Sequence, residues 1–541
     1  MGSMEPPLRV TSGRHDLLVL NCTQSGRWNP ASAAFDEVGQ TYMSDMQFDP
    51  TRDSRILAPT NRSAVLTVLP SIMLPMFLAV VDQTIVATAL PVIGASTGNV
   101  QRVSWIVVGY LIASTIAAPV YGRLGDAFGR RRLMFVALAV FIVASVFCAV
   151  SPTIEWLTAA RVLQGLGGGG LMTLSQALIG EAVLPRERGR YQGYLAAVAV
   201  CANTFGPVAG GYLTEHLGWQ SIFLINIPIG IVAMLLARNL PTNRLQRSDW
   251  RPDPIGLLLF ITLVVTSLLA LEQTQQFEAS ALPVIGVLFA ATALSLVLLI
   301  LQESRAPSPF IPLTLLRQPV IWRSDALVAC HGAALVSLIT FLPVYLEVVR
   351  GHSPAETGLL LIPITIGIGT GSLITGRLVT RTRLTNIFPA IGLPLVTAAI
   401  VFLGFRLDEV TTTTLVALLI WIGLFMGTVM GVVQVVVQSA SGLQRLGEAA
   451  ASVQVSRSMG AAFGTAVIAT VLFAALSFKH PETARVFATM MEHGAPAASS
   501  PSQQISLHAE ISHAFRIVFW SIAGFTALGS LLAFSIPLRR I

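Results

Sequence analysis

Charge is scarce in this sequence. Only 11% of its 541 residues are charged, against roughly 25% in an ordinary soluble chain. So few charges cannot cover a water-facing surface of this length, which excludes a string of soluble domains. Lysine is almost missing, since Lys479 is the one lysine among 34 basic residues. Cysteine is rare as well. Cys148, Cys201 and Cys330 lie in apolar runs and Cys22 sits alone in a polar stretch, a pattern that makes neither a disulfide framework nor a metal site. No metal-ligand cluster and no nucleophile–base pair stands out from the apolar runs, so catalytic residues, metal and cofactor are all expected to be absent and an enzyme is not the expected reading. The net charge of +7 sits in short loops between apolar runs. That placement reads as membrane topology and not as a face for nucleic acid.

What is abundant is apolar surface, 53% of the residues before the 44 glycines are counted. From residue 64 on, fourteen apolar runs alternate with short polar breaks. They lie near 64–92, 103–121, 132–151, 156–179, 191–213, 220–239, 254–272, 281–301, 325–347, 357–376, 386–405, 411–436, 449–474 and 514–537. Runs of about 20 residues suit a hydrocarbon core of about 30 Å, so the expected fold class is an all-α polytopic membrane protein with fourteen transmembrane helices. Loops after even-numbered runs carry eighteen arginines, among them Arg123, Arg130, Arg131, Arg186, Arg323, Arg381 and Arg445, while the short loops opposite hold Arg102, Arg350 and Arg406. The positive-inside bias puts both termini in the cytoplasm. Residues 1–62 are polar and aperiodic, lack a signal-peptide pattern, and are expected to form a disordered cytoplasmic tail. The long segment at 475–513, rich in Ala, Ser and Pro, is expected to be an external loop.

Several residues are expensive where they stand. Asp82 lies deep in the first run, where a carboxylate must pair, meet water or take up a proton. The last option suits a group that exchanges protons with a substrate. Arg161 in the fourth run cannot shed its charge, so it needs a wet cavity or acceptors, and it can tune a nearby carboxyl. Arg457 in run thirteen is expected to pair with the Asp126 loop in a gate. His331, Glu347, Gln434 and Gln438 are candidates for lining a cavity, with Asp325 and Glu347 near run ends, where charges reach water cheaply. Between runs two and three, Gly122-Arg-Leu-Gly-Asp126-Ala-Phe-Gly129-Arg130-Arg131-Arg holds one acid beside four arginines, a composition that suits a charge-paired latch. Gly376-Arg377-Leu378 echoes it between runs ten and eleven, without the acid. Internal repetition of this kind marks many transporters.

Together these residues closely resemble the major facilitator superfamily, in particular its fourteen-span drug:proton antiporter family. Residues 122–131 match the cytoplasmic pattern G-x-L-x-D-x-x-G-R-[RK], and Arg161, Gln164 and Gly165 match R-x-x-Q-G. Gly206, Pro207, Gly210 and Gly211 match the antiporter signature, with Ala202 in place of its first glycine. Asp82, Thr84, Ala89 and Pro91 match D-x-T-x-x-x-x-A-x-P, and Asp253-Pro254-Ile255-Gly256 and Arg457 also look like this family.

The resemblance implies two six-helix bundles, 63–240 and 304–541, with two inserted helices over 241–303. Their rocking would expose a central cavity to each side in turn. It implies a proton-coupled exporter of amphipathic, cationic drugs or toxic compounds in a cell membrane, the bacterial inner membrane for preference, working as a monomer on the proton gradient alone. Asp82 with Arg161, Gln83, Thr84 and Gln164 would form the proton and substrate site. Gly122, Asp126, Gly129, Arg130, Arg131 and Arg457 would form the cytoplasmic gate. A dedicated exporter of one metabolite, siderophore or toxin is the alternative within the class, and a transporter-like receptor or scaffold the alternative outside it.

Overall fold

The structure is a computed structural model that describes residues 62–97, 102–241, 253–275, 282–307, 309–310, 313–479, 487, 501–538 and 540. Among these residues it contains fourteen long helices. The first six are α1 (Arg62–Thr97), α2 (Ser104–Phe128), α3 (Arg130–Ala149), α4 (Ile154–Ala182), α5 (Arg188–Leu217) and α6 (Ser221–Asn239, interrupted at Ile225). Next come α7 (Pro254–Gln275) and α8 (Leu282–Arg305). After a single turn at Leu313–Leu316 follow α9 (Pro319–Val348), α10 (Pro354–Thr382), α11 (Ile387–Phe405), α12 (Thr412–Ser441), α13 (Leu446–Lys479) and α14 (Pro501–Ser535). Among the described residues the one β pairing is an isolated bridge between Leu384 and Arg540.

Two apolar clusters organise these helices. One is built from Leu69 to Leu240, the other from Leu315 to Ile536, which makes two six-helix bundles, α1–α6 and α9–α14. The inserted pair packs mainly on itself, and α7 also touches α2 and α13, one helix from each bundle. Phe260, Val264, Leu299 and Phe310 form a small core there, with Ile116, Val120, Val455 and Met459 packed against it. On α8, Val284, Val287 and Leu294 are all more than half exposed. Such apolar exposure is stable against lipid and not against water.

Thirteen helices are long and apolar enough to cross a membrane on length and composition, and α4 is not one of them. Arg161, Gln164 and the four glycines 167–170 dilute its hydropathy. Lipid does not have to accept these residues, because α4 is wrapped by α1, α2 and α3. A Cβ on Gly165 would come within 2.5 Å of the Tyr110 carbonyl oxygen on α2, and one on Gly167 within 2.8 Å of the Phe141 nitrogen on α3. The glycines therefore let three backbones approach more closely than side chains would allow.

Helix also extends past the apolar runs. The tail expected over 1–62 lies outside the described residues apart from Arg62, which opens α1. At the other end α13 runs to Lys479 and α14 starts at Pro501, so both flanks of the segment expected as a loop over 475–513 are helical. Apolarity locates only the part of a helix that sits in lipid. A 35-residue helix such as α14 rises about 50 Å at about 1.5 Å per residue, so its polar start projects beyond the hydrocarbon.

Candidate functional site

Inside the first bundle one polar cluster is sealed from solvent. Asp82 on α1 is fully buried, and Arg161 and Gln164 on α4 are nearly so. Arg161 Nη1 donates to Asp82 Oδ2 at 2.5 Å and to Gln164 Oε1 at 2.7 Å. Asp82 Oδ1 accepts from Gln164 Nε2 at 2.9 Å and from Asn226 Nδ2 on α6 at 2.8 Å. Ser145 Oγ on α3 accepts from Gln164 Nε2 at 2.8 Å. The Tyr110 ring of α2 covers the guanidinium, with 4.2 Å from its centroid to Arg161 Cζ. Five helices thus contribute to the cluster, and three of them, α1, α4 and α6, meet at its carboxylate, whose oxygens are taken by a cation and two amides. That is the arrangement a buried charge needs in a medium that cannot solvate it.

The structure brings Asp82, Arg161 and Gln164 together and adds Asn226, Ser145 and Tyr110, which the sequence did not single out. Asn226 carried a legible signal, an amide between Ile225 and Ile227 in an apolar run. Gln83 joins the rim of the cluster through the Tyr110 hydroxyl, and Thr84 turns away from it. They lie on the next faces of α1, half-buried: Gln83 comes beside the Tyr110 hydroxyl, while the Thr84 hydroxyl bonds back to the Val81 carbonyl at 3.0 Å. Thr84 instead marks the crossing of α1 and α5, because a Cβ on Gly206 would overlap its hydroxyl, and one on Gly210 would reach 2.6 Å from the Ile85 carbonyl. The glycine–proline signature therefore splits. Gly206 and Gly210 let α5 press on α1, whereas Pro207 and Gly211 face away, with nothing within 4 Å of a Cβ on Gly211. Ala202 is fully buried at the same crossing, and its carbonyl accepts from Thr84 at 3.4 Å.

A second cluster joins the bundles on the arginine-rich side. Gly129, at φ +95°, makes the turn between α2 and α3, a conformation only glycine adopts cheaply. It aims Asp126 at the start of α13. The Asp126 carboxylate accepts from the backbone nitrogens of Gly447 at 3.0 Å and Glu448 at 3.1 Å, and from Arg130 Nη2 at 2.5 Å. The first bundle thereby supplies an anion to the unsatisfied N–H groups and positive dipole end of a helix in the second. Arg130 also reaches Glu181 at 2.5 Å, and Arg123 pairs with Glu448. A Cβ on Gly122 would stand 2.5 Å from the Gly447 carbonyl oxygen, so backbone meets backbone beneath the ion pairs. Arg131 is half-buried at the head of α3. Glu448 was not among the residues the sequence singled out, although an acid in a first helical turn is a recognisable capping signal.

The echo at Gly376 makes the equivalent crossing, α10 against α5, with a Cβ on Gly189 of α5 falling 3.1 Å from the Gly376 carbonyl. Thr380 stands where Asp126 would be, and its hydroxyl bonds its own helix at Gly376. Only one of the two crossings therefore carries the charged latch.

Arg457 does not join the latch, contrary to expectation. It lies ten residues along α13 from Gly447, about 15 Å at about 1.5 Å per residue, and its Nε meets Gln454 Oε1 at 3.4 Å. Of the cavity candidates, His331 packs inside the second bundle, with Nε2 3.2 Å from the Met426 carbonyl of α12. Glu347 is exposed in the last turn of α9. Gln438 bridges the bundles, donating to the Gln176 carbonyl of α4 at 2.9 Å, and Gln434 is buried with its Nε2 unpartnered. Asp325 also overturns its expectation. It is 6% exposed and does not reach water. Among the described residues no group of three or more His, Cys, Asp or Glu side chains is placed to hold a metal.

Comparison with known proteins adds a family model, relatives in sequence and relatives in architecture. The family model described as Major Facilitator Superfamily matches residues 72–465. An uncharacterized MFS-type transporter of Mycobacterium tuberculosis is 34% identical over 413 residues, 76% of this chain and 59% of that protein. The multidrug transporter protein MdtP of Bacillus subtilis is 31% identical over 408 residues, 75% of this chain and 74% of MdtP. The transporter of the acurin A biosynthesis cluster of Aspergillus aculeatus is 33% identical over 350 residues, 62% of each chain. The matched region thus spans about three-fifths of the mycobacterial relative's length. In architecture the chain is similar to the human organic anion transporter MFSD10, with a TM-score of 0.60 at 15% identity over 88% of this chain and 100% of that one. The proton:xylose symporter XylE gives 0.59 at 12% identity, covering 88% and 97%.

Proposed function

The chain belongs to the major facilitator superfamily and is a multi-pass membrane transporter, and from that premise we propose that it is a proton-coupled antiporter expelling amphipathic, cationic drugs or toxic compounds by alternating access. The observation that carries this reading is the buried Asp82–Arg161 pair at 2.5 Å, where five helices converge. Ion pairs inside a membrane are costly to keep and mark ion pathways. A proton arriving on Asp82 would displace one of its donors and release Arg161, loosening α1 from α4 and α6. A change of protonation is thereby turned into a change of packing. Taking the arginine-rich side as cytoplasmic, the closed latch at Asp126 describes a state shut toward the cytoplasm. Protons would then arrive from outside and drive expulsion, with the chain working as a monomer in a bacterial inner membrane. The relative named as a multidrug transporter supports a broad substrate range. A second reading, a dedicated exporter of one compound, is favoured by the relative named for a single biosynthesis cluster.

The test is proton movement in energised proteoliposomes on adding ethidium, wild type beside Asp82→Asn. Antiport through Asp82 gives ethidium-dependent proton flux that disappears in the variant. Ethidium transport without proton movement would overturn antiport, and flux retained in Asp82→Asn would remove Asp82 from the coupling. A wild type that moves neither ethidium nor protons would favour the dedicated exporter.

A further inference from the structure

Among the described residues, Asp325 is a buried acid without a counterion. Asp82, Asp126 and Glu448 each face an arginine, whereas Asp325, in the second turn of α9, is 6% exposed and has no charged neighbour acting on it among the described residues. Its Oδ1 accepts only a long hydrogen bond, 3.4 Å from Ser452 Oγ of α13, and its Oδ2 has no partner. Two facing oxygens with one weak donor do not suit a carboxylate in an apolar bundle, where an uncompensated charge is strongly disfavoured. They suit a carboxylic acid, which needs no cation.

We propose that Asp325 is a proton-binding site of the transport cycle, loaded in the conformation seen here and emptied when α13 moves. This inference rests on the antiport reading above and adds a second carboxyl to it, in the other bundle.

The surroundings supply the path and the trigger. Ser452 also lines a mostly apolar cavity of about 120 Å³ together with Pro119, Phe260 and Leu315, where Glu448, Ser452 and Ser456 are the polar side chains beside which water can sit. The cavity lies on the arginine-rich side, between α2, α7 and α13. A proton leaving the Asp325 carboxyl therefore has one hydroxyl between it and a space where water can accept it. Ser452 stands one turn beyond Glu448, the residue whose backbone Asp126 holds and whose carboxylate Arg123 pairs with. Opening the latch would move Ser452 against α9 and bring water to Asp325. The other charged or titratable groups on the packed elements are already engaged or distant. Arg457 of α13 meets Gln454, and Arg323 of α9 itself bonds the Ser535 carbonyl at the end of α14. His331 lies six residues along α9, with its Nε2 on the Met426 carbonyl of α12. The buried amides of α12, Gln434 and Gln438, are neutral, and Arg377 and Arg381 of α10 are exposed at its end.

The test needs no substrate. Infrared spectra of the reconstituted protein at neutral pH should contain the carbonyl band of a protonated carboxyl that is lost in Asp325→Asn and kept in Asp82→Asn. Asp325→Glu should displace the band without removing it, and both variants should elute as folded protein. In Asp126→Ala, which frees α13, the band should shrink. A band that persists in Asp325→Asn, or no such band in the wild type, overturns the site, whatever the ethidium experiment shows. A band lost in Asp325→Asn but unchanged in Asp126→Ala overturns the link to latch opening. Ethidium transport without protons, with the infrared results as expected, defeats antiport alone and leaves the proton on Asp325.

Discussion

Removing the Asp126 side chain should loosen the two bundles from each other on the arginine-rich side, and the structure gives the size of the effect. Asp126→Ala deletes the acceptor for the Gly447 and Glu448 backbone nitrogens, while Arg130 keeps Glu181 at 2.5 Å and is not left as an orphaned charge. Two interhelical hydrogen bonds are worth about 0.6 kcal/mol each in membrane proteins. An anion at a helix N-terminus adds about 0.3–1 kcal/mol, so the latch contributes about 2 kcal/mol to the closed state. That is about a 30-fold change in the closed-to-open ratio. Asp126→Asn retains a neutral acceptor and should give a smaller shift. The assay is pulsed electron paramagnetic resonance between spin labels at Arg186→Cys and Arg381→Cys, both exposed at facing ends of the two bundles. The expected outcome is a longer distance that gains population in Asp126→Ala and less in Asp126→Asn. An Asp126→Ala distribution identical to wild type would refute the claim that this carboxylate holds the bundles together.

Two further outcomes follow from the first bundle. Arg161→Met leaves Asp82 buried without its cation and should cost about 3–5 kcal/mol, read as a drop in the unfolding midpoint in detergent. Adding Asp82→Asn to it should recover most of the loss, and a double variant as unstable as Arg161→Met would mean that the cost lies in packing. Gly165→Ala places a methyl 2.5 Å from the Tyr110 carbonyl and should cost about 1–3 kcal/mol by overpacking. Gly286→Ala, with nothing within 4 Å of the new Cβ, should leave the midpoint where it was. Equal midpoints for both glycine variants would deny the close approach of α2 and α4.

Much of the site was legible because charge in an apolar run is conspicuous one residue at a time. Asp82 and Arg161 stand out on that ground alone, since each would be intolerable facing lipid, and Asp126 stands out as the one acid in a loop of four arginines. The partners are less visible. Ser145 and Tyr110 are ordinary residues of membrane helices, and only the rotation of α2 and α3 about their axes brings them to Asp82. Arg457 and Asp325 were misread for a related reason. The apolar runs do not give where α13 starts against the latch, so a gate role was assigned to Arg457, nor which face Asp325 occupies, so easy hydration was assigned to it.

What the sequence determined by itself is the number of apolar runs, their order and the family pattern. Hydropathy is a local property, and lipid imposes the same test on each segment separately. Even there the one helix that fails the hydropathy test, α4, is the one that other helices enclose. The tertiary structure decided which acids have counterions. Asp82 gained Arg161 across 79 positions of sequence and Glu448 gained Arg123 across 325, while Asp325 gained only a distant serine hydroxyl. Ion pairing depends on a few ångströms between side chains of different helices, and those distances exist only once the helices have packed.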